Sequence, residues 1–347
     1  MVSVTSNNEC AVNEAGNEFR HRMIQAARRK LIQGGGPLTA REWILLGITA
    51  VSVILFLGSQ TVLLTTGEAS SSSSFRPLVT TLGQHNHYYE EHYPILYMTP
   101  PLPSTKAYRC AAKTVEQVKD NLQSQQGEDL ELLSHFNGLC GGSYIEMGAL
   151  DGKTFSNSWL FHREFCWKGV LIELDADNYQ KLERNRHKEL FTTRAAVCAA
   201  NQTVHYVSGH EAVNGVWEHA SAAFRQRWWP DIESRHDLET LTCIPLQQLL
   251  DNHLQHVVQQ QQSHGLFFFD FFSLDVEGSE WAVLQTVDWD KTSFGIIVVE
   301  APDNKGVERN AIVSYLQRQG YKYLGEKNNS LWFLNGNFHE IYKKVLL

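Results

Sequence analysis

Several familiar sequence signatures are missing from this chain of 347 residues. None of its six cysteines forms a Cys-x-x-Cys pair, which argues against a zinc ribbon or a thioredoxin-type redox site. The Gly-x-Gly-x-x-Gly turn of a dinucleotide fold and the lysine motif of a P-loop are both absent. Positive charge is scarce as well: the net charge is −8, and because residues 1–41 carry +3, the rest of the chain carries −11. An acidic body of this kind argues against nucleic acid as the main partner.

Charge is missing altogether from residues 43–64. As a helix this segment is about 33 Å long, enough to cross a hydrocarbon core of roughly 30 Å. A buried core helix rarely runs this far without a charge, and the long polar segment before it is unlike a cleaved signal peptide. The sequence therefore predicts one transmembrane helix, through which the protein contacts the membrane.

Cations flank mainly one side of this segment. Three of them at 28–30 and Arg41 precede it, whereas only Arg76 lies within twenty residues after it. By the positive-inside rule, residues 1–42 form a cytosolic basic tail and the body is luminal. We therefore predict a single-pass type II membrane protein of the Golgi or endoplasmic reticulum.

Residues 65–112 have the composition of a luminal stem. Five serines occupy 70–74, and several prolines follow, which is typical of a flexible spacer. Three histidines beside acidic residues at 85–93 raise the question of a metal site, but a solvated polar stem is the favoured interpretation. The sequence predicts no metal ligands.

The remaining residues, 113–347, have the pattern of an alternating β/α domain. A helical pattern runs from Lys113 towards Phe136, and near-continuous apolar strands then alternate with helices up to a closing hairpin. This alternation predicts a parallel sheet with helices on both faces. In such sheets ligands bind at the carboxyl ends of the strands.

Two of these strand ends suggest a nucleoside cofactor. The first strand leads into a turn that contains Glu146, Gly148, Asp151 and Gly152, where small residues let the backbone approach a ligand. The second strand ends at Glu173, a carboxylate placed to accept both hydroxyls of a ribose. Without a phosphate-binding signature, this combination predicts S-adenosylmethionine.

Four segments carry a family resemblance, in the order YIEMGALDG, SNSWLFHREFCWKGVLIELDADNYQKL, AAVC and FSLDVEGSEWAVL. Over residues 125–335 the chain resembles the FkbM-type methyltransferases, and in particular their membrane-anchored eukaryotic, Star-like subgroup. The resemblance implies a class I methyltransferase fold and methyl transfer from S-adenosylmethionine to a hydroxyl group, often of a sugar. One departure is that Ser273-Leu274 stand where bacterial members often have Lys-Ile.

The resemblance also implies roles for individual residues. The side of the cofactor that carries the methionine would contact the turn after the first strand, and the ribose would contact Glu173. Asp275 would face both the cofactor and the reacting atoms, and we take Asp275 and Glu277 as the catalytic candidates. The cofactor-binding candidates are therefore Glu146, Gly148, Asp151, Gly152, Glu173 and Asp275.

A variable stretch at 208–240 lies where a lid over the acceptor is expected. It contains three histidines, any of which could act as a general base, and three tryptophans that could stack on a sugar or simply pack the lid. These residues are His210, His219, His236, Trp217, Trp228 and Trp229.

Similar eukaryotic domains place cysteines at the positions of Cys198 and Cys243, so the resemblance implies a disulfide between them. An oxidising lumen would permit it. Two glycosylation sequons, which begin at Asn201 and Asn328, would face the same compartment.

Two functions remain open from the sequence. The first is a luminal O-methyltransferase with a hydroxyl-bearing glycan or glycoconjugate as acceptor. The second is a catalytically silent protein that acts in trafficking or cargo binding. Import of a cofactor made in the cytosol counts against the first, and the presence of the ligand-contacting acids and glycines counts against the second.

Overall fold

The computed structural model describes residues 107–208, 213–232, 236, 238–261, 266–300, 307–327 and 329–346. The predicted cytosolic tail, transmembrane helix and most of the stem lie outside these ranges. Among the described residues, none of the helices combines the length and the hydrophobicity that crossing a membrane requires.

The strands are β1 (Tyr108–Arg109), β2 (Leu139–Cys140), β3 (Ser143–Met147), β4 (Lys168–Glu173), β5 (Phe191–Arg194), β6 (Gln202–Val207), β7 (Gly215–Val216), β8 (Glu239–Cys243), β9 (Phe267–Leu274), β10 (Thr292–Glu300), β11 (Tyr321–Lys327) and β12 (Ser330–Asn335). The α-helices are α1 (Val115–Val118), α2 (Glu128–Phe136), α3 (Trp159–Glu164), α4 (Ala176–Asn185), α5 (Ala222–Trp228), α6 (Leu246–Gln261), α7 (Glu280–Leu284), α8 (Val307–Arg318) and α9 (Phe338–Tyr342).

Seven strands form the central sheet, in the order β11-β12-β10-β9-β3-β4-β5. The pairs from β10 to β5 are parallel, and β12 is antiparallel to both of its neighbours. The sheet is therefore mixed: the parallel arrangement that the alternation predicted holds from β10 to β5, and the predicted closing hairpin is formed by β11 and β12. The reason is the short connection at 328–329, since a turn this tight can join only antiparallel strands. With this strand order the domain has the class I methyltransferase-like α/β fold.

Successive residues of the inner strands point to opposite faces of the sheet, and helices cover both faces. In β3, Ile145 packs into a core with α6, α7 and α8, whereas Tyr144 packs into a second core with α2, α3 and α9. In β9, Phe272 packs into the first of these cores and Phe271 into the second. Both faces are buried, which is why these strands are apolar at almost every position.

A separate three-stranded antiparallel sheet, in the order β7-β6-β8, follows the first half of the domain. The sequence pattern identified β6 as a strand but suggested no separate sheet. Gln202 of β6 pairs with Cys243 of β8, and Cys243 forms a disulfide with Cys198 across a Cα–Cα distance of 5.8 Å. This confirms the predicted pairing.

The fold begins before residue 113, where the sequence pattern placed the start of the domain. Strand β1 pairs with β2, and Cys110 forms a disulfide with Cys140. The predicted helical pattern from 113 to 136 is divided into α1 and α2, because the chain becomes extended at Leu122 and enters α2 only after Gly127, whose φ is +91°.

We predict that replacing both Cys198 and Cys243 by alanine lowers the free energy of unfolding by about 4 kcal/mol, from the entropy of a closed loop of this length. Urea unfolding monitored by tryptophan fluorescence measures this loss. The matched control replaces Cys110 and Cys140, which close a shorter loop of 30 residues, and should cost slightly less. A loss below about 1 kcal/mol for the first pair would contradict a formed Cys198–Cys243 disulfide.

Candidate active site

A pocket opens at the carboxyl ends of the central strands. Its walls come from the segments that follow β3, β4, β5 and β9, and from the last residue of β10. Asn214 and Val216, from the segment around β7, also line the pocket. The predicted lid region therefore contributes to the same pocket as the strand ends.

Glu173, the last residue of β4, lines this pocket although only 4% of it is exposed. Its Oε2 accepts a hydrogen bond from the Leu150 backbone N–H at 2.7 Å, and its Oε1 accepts one from the Asp175 N–H at 2.7 Å. Burial raises the pKa of Glu173 to about 7, against the lowering effect of these two N–H donors. Two backbone groups hold the carboxylate in place, and each oxygen keeps a lone pair for a ligand.

Gly148 brings the ends of β3 and β9 into contact beside the pocket. Its φ is +77°, and a Cβ atom there would overlap the carbonyl oxygen of Asp275. The Asp275 N–H in turn donates to the Met147 carbonyl at 3.2 Å. Only glycine permits this approach, which sets the position of Asp275 at the pocket.

Three carboxylates meet where β9 and β10 end. One oxygen from each of Asp275, Glu280 and Glu300 lies within 4.8 Å of the other two. Burial, together with the charge of Asp275, raises the pKa of Glu280 to about 7. Burial raises the pKa of Asp275, and burial followed by the charges of Asp275 and Glu280 raises that of Glu300 far above its usual range. The raised values show that three adjacent carboxylates resist being ionised together.

A second, smaller pocket adjoins the first. Asp275, Glu300, Phe155 and Gln125 line both of them. The other residues of the second pocket are mostly polar: Glu128, Asn157, Ser273, Leu274, Val298 and Ser330. The ring of Phe155 is 45% exposed, and its backbone has a φ of +59°, a conformation that is rare for an aromatic residue. Asp275 and Glu300 thus form part of the boundary between the two pockets. We call the first the inner pocket and the smaller, more polar one the outer pocket.

The lid region packs onto the turn that follows β9. The His219 Nδ1 lies 2.6 Å from the Ser279 hydroxyl, and burial lowers the pKa of His219. Trp229 is buried against Trp217 and Phe224 and donates its indole N–H to the Val213 carbonyl, so it packs the lid itself.

The remaining candidates of the lid region either lie away from the turn after β9 or fall outside the described residues. Trp228 is 39% exposed and lies against Arg227. His236 is exposed, and His210 lies outside the described residues.

The sequence of this domain matches the model of the Methyltransferase FkbM domain over residues 146–323, just over half of the chain. The chain belongs to the FkbM methyltransferase family. This family membership confirms the resemblance noted in the sequence, and with it S-adenosylmethionine as the cofactor. Membership in the membrane-anchored subgroup stays a prediction.

Solved structures show only distant likeness to this FkbM methyltransferase. One is the FkbM methyltransferase of Methylobacillus flagellatus KT, at 12% identity and a TM-score of 0.34, where the match covers 63% of this chain and half (50%) of that one. Another is the TehB-like SAM-dependent methyltransferase of Corynebacterium glutamicum, at 8% identity and a TM-score of 0.32, covering 63% of this chain and 93% of that one. Aeropyrum pernix fibrillarin, solved with natively bound S-adenosyl-L-methionine, is 7% identical with a TM-score of 0.31, covering 56% of this chain and 67% of that one. No curated protein matches the chain significantly.

Of the residues predicted to bind the cofactor, the structure brings Gly148, Glu173 and Asp275 together in the inner pocket of this FkbM domain. The catalytic candidate Glu277 also lines the inner pocket, with a φ of +56°, but it does not line the outer one. It therefore lies on the cofactor side of the boundary.

Glu146 lies behind the pocket rather than in its wall. Its carboxylate accepts hydrogen bonds from the hydroxyls of Ser156 and Ser158 and from the Asn157 N–H, and it lies 3.5 Å from the buried Arg186. In this position Glu146 holds the loop after β3 against the sheet.

Asp151 and Gly152 shape the same loop without lining the pocket. The Asp151 carboxylate accepts from the N–H groups of Lys153 and Thr154 within its own turn. Gly152 has a φ of +76°, and its carbonyl accepts from Arg186 Nε at 2.6 Å. Both residues are placed to fix the loop that carries Leu150 to Glu173.

Sequence reasoning did not place Glu280 and Glu300 in the site. Glu280 stands in the motif that was singled out, five residues after Asp275, but nothing in the spacing shows that its side chain turns back towards β9. Glu300 ends a buried strand, as Glu173 does. The position of Glu300 at the end of an apolar strand could therefore have identified it as a candidate site residue.

We predict that Gly148→Ala lowers the free energy of unfolding by well over 2 kcal/mol, because its Cβ meets backbone and not a movable side chain. Gly325→Ala is the matched control, since Gly325 has a φ of +108° with nothing within 4 Å of the added Cβ. That variant carries only the backbone strain, about 1–2 kcal/mol. Urea unfolding of both variants measures the difference, and equal losses would contradict the close approach at Gly148.

Proposed function

We propose that this protein is an O-methyltransferase of the secretory pathway, which transfers the methyl group of S-adenosylmethionine to a hydroxyl of a glycan or glycoconjugate. The observation that carries the proposal is the pair of adjoining pockets with Asp275 and Glu300 in their common boundary. The inner pocket has the chemistry of a nucleoside site, and the outer pocket has the chemistry of a hydroxyl-rich acceptor site.

The inner pocket fits S-adenosylmethionine by its donors and acceptors. Glu173 offers two fixed carboxylate oxygens to the ribose hydroxyls. Ile172, Leu174 and Val197 give the pocket apolar surface beside that carboxylate, which suits a purine ring. When bound, the cofactor supplies an electrophilic methyl group on a positively charged sulfur.

The outer pocket supports a polar, hydroxyl-bearing acceptor. Amide, hydroxyl and carboxylate groups from Asn157, Ser273 and Glu128 line it and can hydrogen-bond to one hydroxyl of the acceptor that enters it. The exposed ring of Phe155 adds an apolar surface for one face of a sugar. A site with several polar groups and one aromatic face suits a sugar better than a flat apolar substrate.

Asp275 lies where the two ligands would meet. Because it lines both pockets, its carboxylate can accept the hydrogen bond of an acceptor hydroxyl beside the methyl donor. Desolvation raises the pKa of Asp275, which makes it a better proton acceptor. As the new O–C bond forms and the C–S bond breaks, the hydroxyl proton passes to Asp275 and the sulfur keeps the electron pair.

Covalent features of the domain support an oxidising compartment. The disulfides Cys110–Cys140 and Cys198–Cys243 lie within the described residues, and such bonds persist in secretory and extracellular proteins. Asn201 of the first sequon is exposed before β6, where a glycan can be attached. The second sequon begins at Asn328, outside the described residues. Both features agree with the type II orientation predicted from the flanking cations.

We predict that S-adenosylmethionine binding strengthens about tenfold between pH 6 and pH 8, because Glu173 with a pKa of about 7 loses its proton over this range and only the carboxylate accepts both ribose hydroxyls fully. Calorimetric titration measures the dissociation constant at each pH. In Glu173→Gln the affinity at pH 8 falls at least tenfold and the part of the pH dependence due to Glu173 disappears. Glu183→Gln, an exposed position on α4, is the control and should match the unmodified protein.

We expect methyl transfer from methyl-labelled S-adenosylmethionine to glycans released from secretory glycoproteins. Asp275→Asn should lower the turnover at least a hundredfold while the cofactor dissociation constant changes less than threefold, since the shape is kept and the proton acceptor is lost. Label incorporation and calorimetry give the two quantities. Binding of the cofactor without transfer to any glycan would contradict the proposed acceptor, and no binding at millimolar cofactor would favour the catalytically silent trafficking function.

A further inference from the structure

We propose that Asp275, Glu280 and Glu300 bind one hard divalent cation at the boundary between the two pockets. One oxygen from each side chain lies within 4.8 Å of the other two. An ion with metal–oxygen bonds of about 2.1–2.5 Å separates its ligand oxygens by up to roughly 5 Å, so all three can reach a single ion. These residues come from the end of β9, the start of α7 and the end of β10, and the fold brings them together.

The second observation is an unsatisfied oxygen on Glu280. This side chain is fully buried, and its Oε1 accepts hydrogen bonds from the N–H groups of Val276 at 3.0 Å and Gly278 at 3.2 Å. Its Oε2 is buried and has no hydrogen-bond partner. A buried carboxylate oxygen without a partner costs free energy, and a cation at the cluster would satisfy it.

The charge of the cluster also lacks compensation from the protein. None of the three carboxylates forms an ion pair with a lysine or arginine in the part of the chain that the structure describes. The buried carboxylates of Glu146 and Glu189, behind the pocket, do have such a partner in Arg186. A divalent cation bound to Asp275, Glu280 and Glu300 would compensate their negative charge, as Arg186 compensates the carboxylates behind the pocket.

The donor set indicates the class of ion. Carboxylate oxygens suit Mg²⁺, Mn²⁺ or Ca²⁺, whereas sites for softer ions use imidazole or thiolate ligands. Asp275 and Glu300 line both pockets and Glu280 lies behind them, so ligand positions that the protein leaves open would face the pockets.

The consequence for chemistry rests on the proposed function. An acceptor hydroxyl bound to the ion would lose its proton more readily, because a bound cation lowers the pKa of a coordinated hydroxyl. A carboxylate that binds the ion through one oxygen keeps the other, so Asp275 can still accept that proton. The ion would thereby orient the acceptor and activate it.

The test is a titration of the full chain, purified in detergent, with Mn²⁺ as the probe. The loss of the free Mn²⁺ signal in electron paramagnetic resonance gives the stoichiometry and the dissociation constant, and we expect one ion per chain. Glu280→Gln and Glu300→Gln should each weaken Mn²⁺ binding at least tenfold. Glu128→Gln is the matched control, because it removes a carboxylate from the outer pocket outside the cluster, and it should change the constant less than threefold.

Folding of the variants is checked by their melting temperatures without metal. The side-chain amide that Glu280→Gln introduces keeps one oxygen to accept from the N–H groups of Val276 and Gly278, so this variant is expected to fold. Mn²⁺ should raise the melting temperature of the unmodified protein and leave that of both variants unchanged. Absence of Mn²⁺ binding at millimolar concentration, or unchanged binding in both folded variants, would overturn the proposal.

A separate titration with S-adenosylmethionine distinguishes this inference from the proposed function. Cofactor binding and methyl transfer without any bound Mn²⁺ would overturn the ion site and keep the enzyme. Specific Mn²⁺ binding that depends on Glu280 and Glu300, in a protein that binds no cofactor, would support the ion site and overturn the proposed function.

Discussion

The close approach of β3 and β9 at Gly148 is the constraint on which the site depends. Because Gly148 has no side chain, the backbone of Asp275 can lie directly against it, and the Asp275 N–H reaches the Met147 carbonyl. The same turn carries Leu150 to the Glu173 carboxylate on the neighbouring strand. One backbone contact therefore sets the spacing of Glu173, Asp275 and the pocket that both residues line.

Electrostatics divides this edge of the sheet into two zones. Behind the loop after β3, the negative charges of Glu146 and Glu189 surround the buried guanidinium of Arg186. Although burial alone would raise the pKa of Glu189, its hydrogen bond with His162 and the charge of Arg186 lower it. At the ends of β9 and β10, no lysine or arginine among the described residues pairs with the carboxylates, and the pKa values of Asp275, Glu280 and Glu300 are all raised. The first zone is thus neutralised by a buried cation, whereas the second has no such partner among those residues.

Local sequence pattern was sufficient for the strands that position the site. The apolar runs that became β3, β4, β9 and β10 are buried on both faces, so their composition alone distinguished them. Glu173 followed from its place at a strand end, whereas Asp275 followed from the resemblance to the FkbM family. The hairpin of β11 and β12 was also predicted, but the insertion of β12 between β11 and β10 is a long-range pairing that composition does not show.

Side-chain direction was the main limit at the site itself. Glu146 and Glu173 both belong to strands that end at the pocket, but alternation along a strand and contacts with distant residues decide which carboxylate faces it. Arg186, 40 residues after Glu146 in the chain, draws Glu146 to the back of the loop. Likewise, the closeness of Glu280 and Glu300 to Asp275 is a long-range contact that no local pattern encodes.

The hairpin of β11 and β12, which makes the sheet mixed, also determines which strand lies at one edge of the sheet. It places β11 at the edge and inserts the reversed strand β12 between β11 and β10. That edge carries the exposed Lys322 and Lys327, and an irregularity between Tyr323 and Gly325 breaks its regular ladder. Charges and a bulge on an edge strand discourage pairing with a strand of another molecule. The reversed strand β12 therefore leaves the apolar strands around the site enclosed, with a border that resists aggregation.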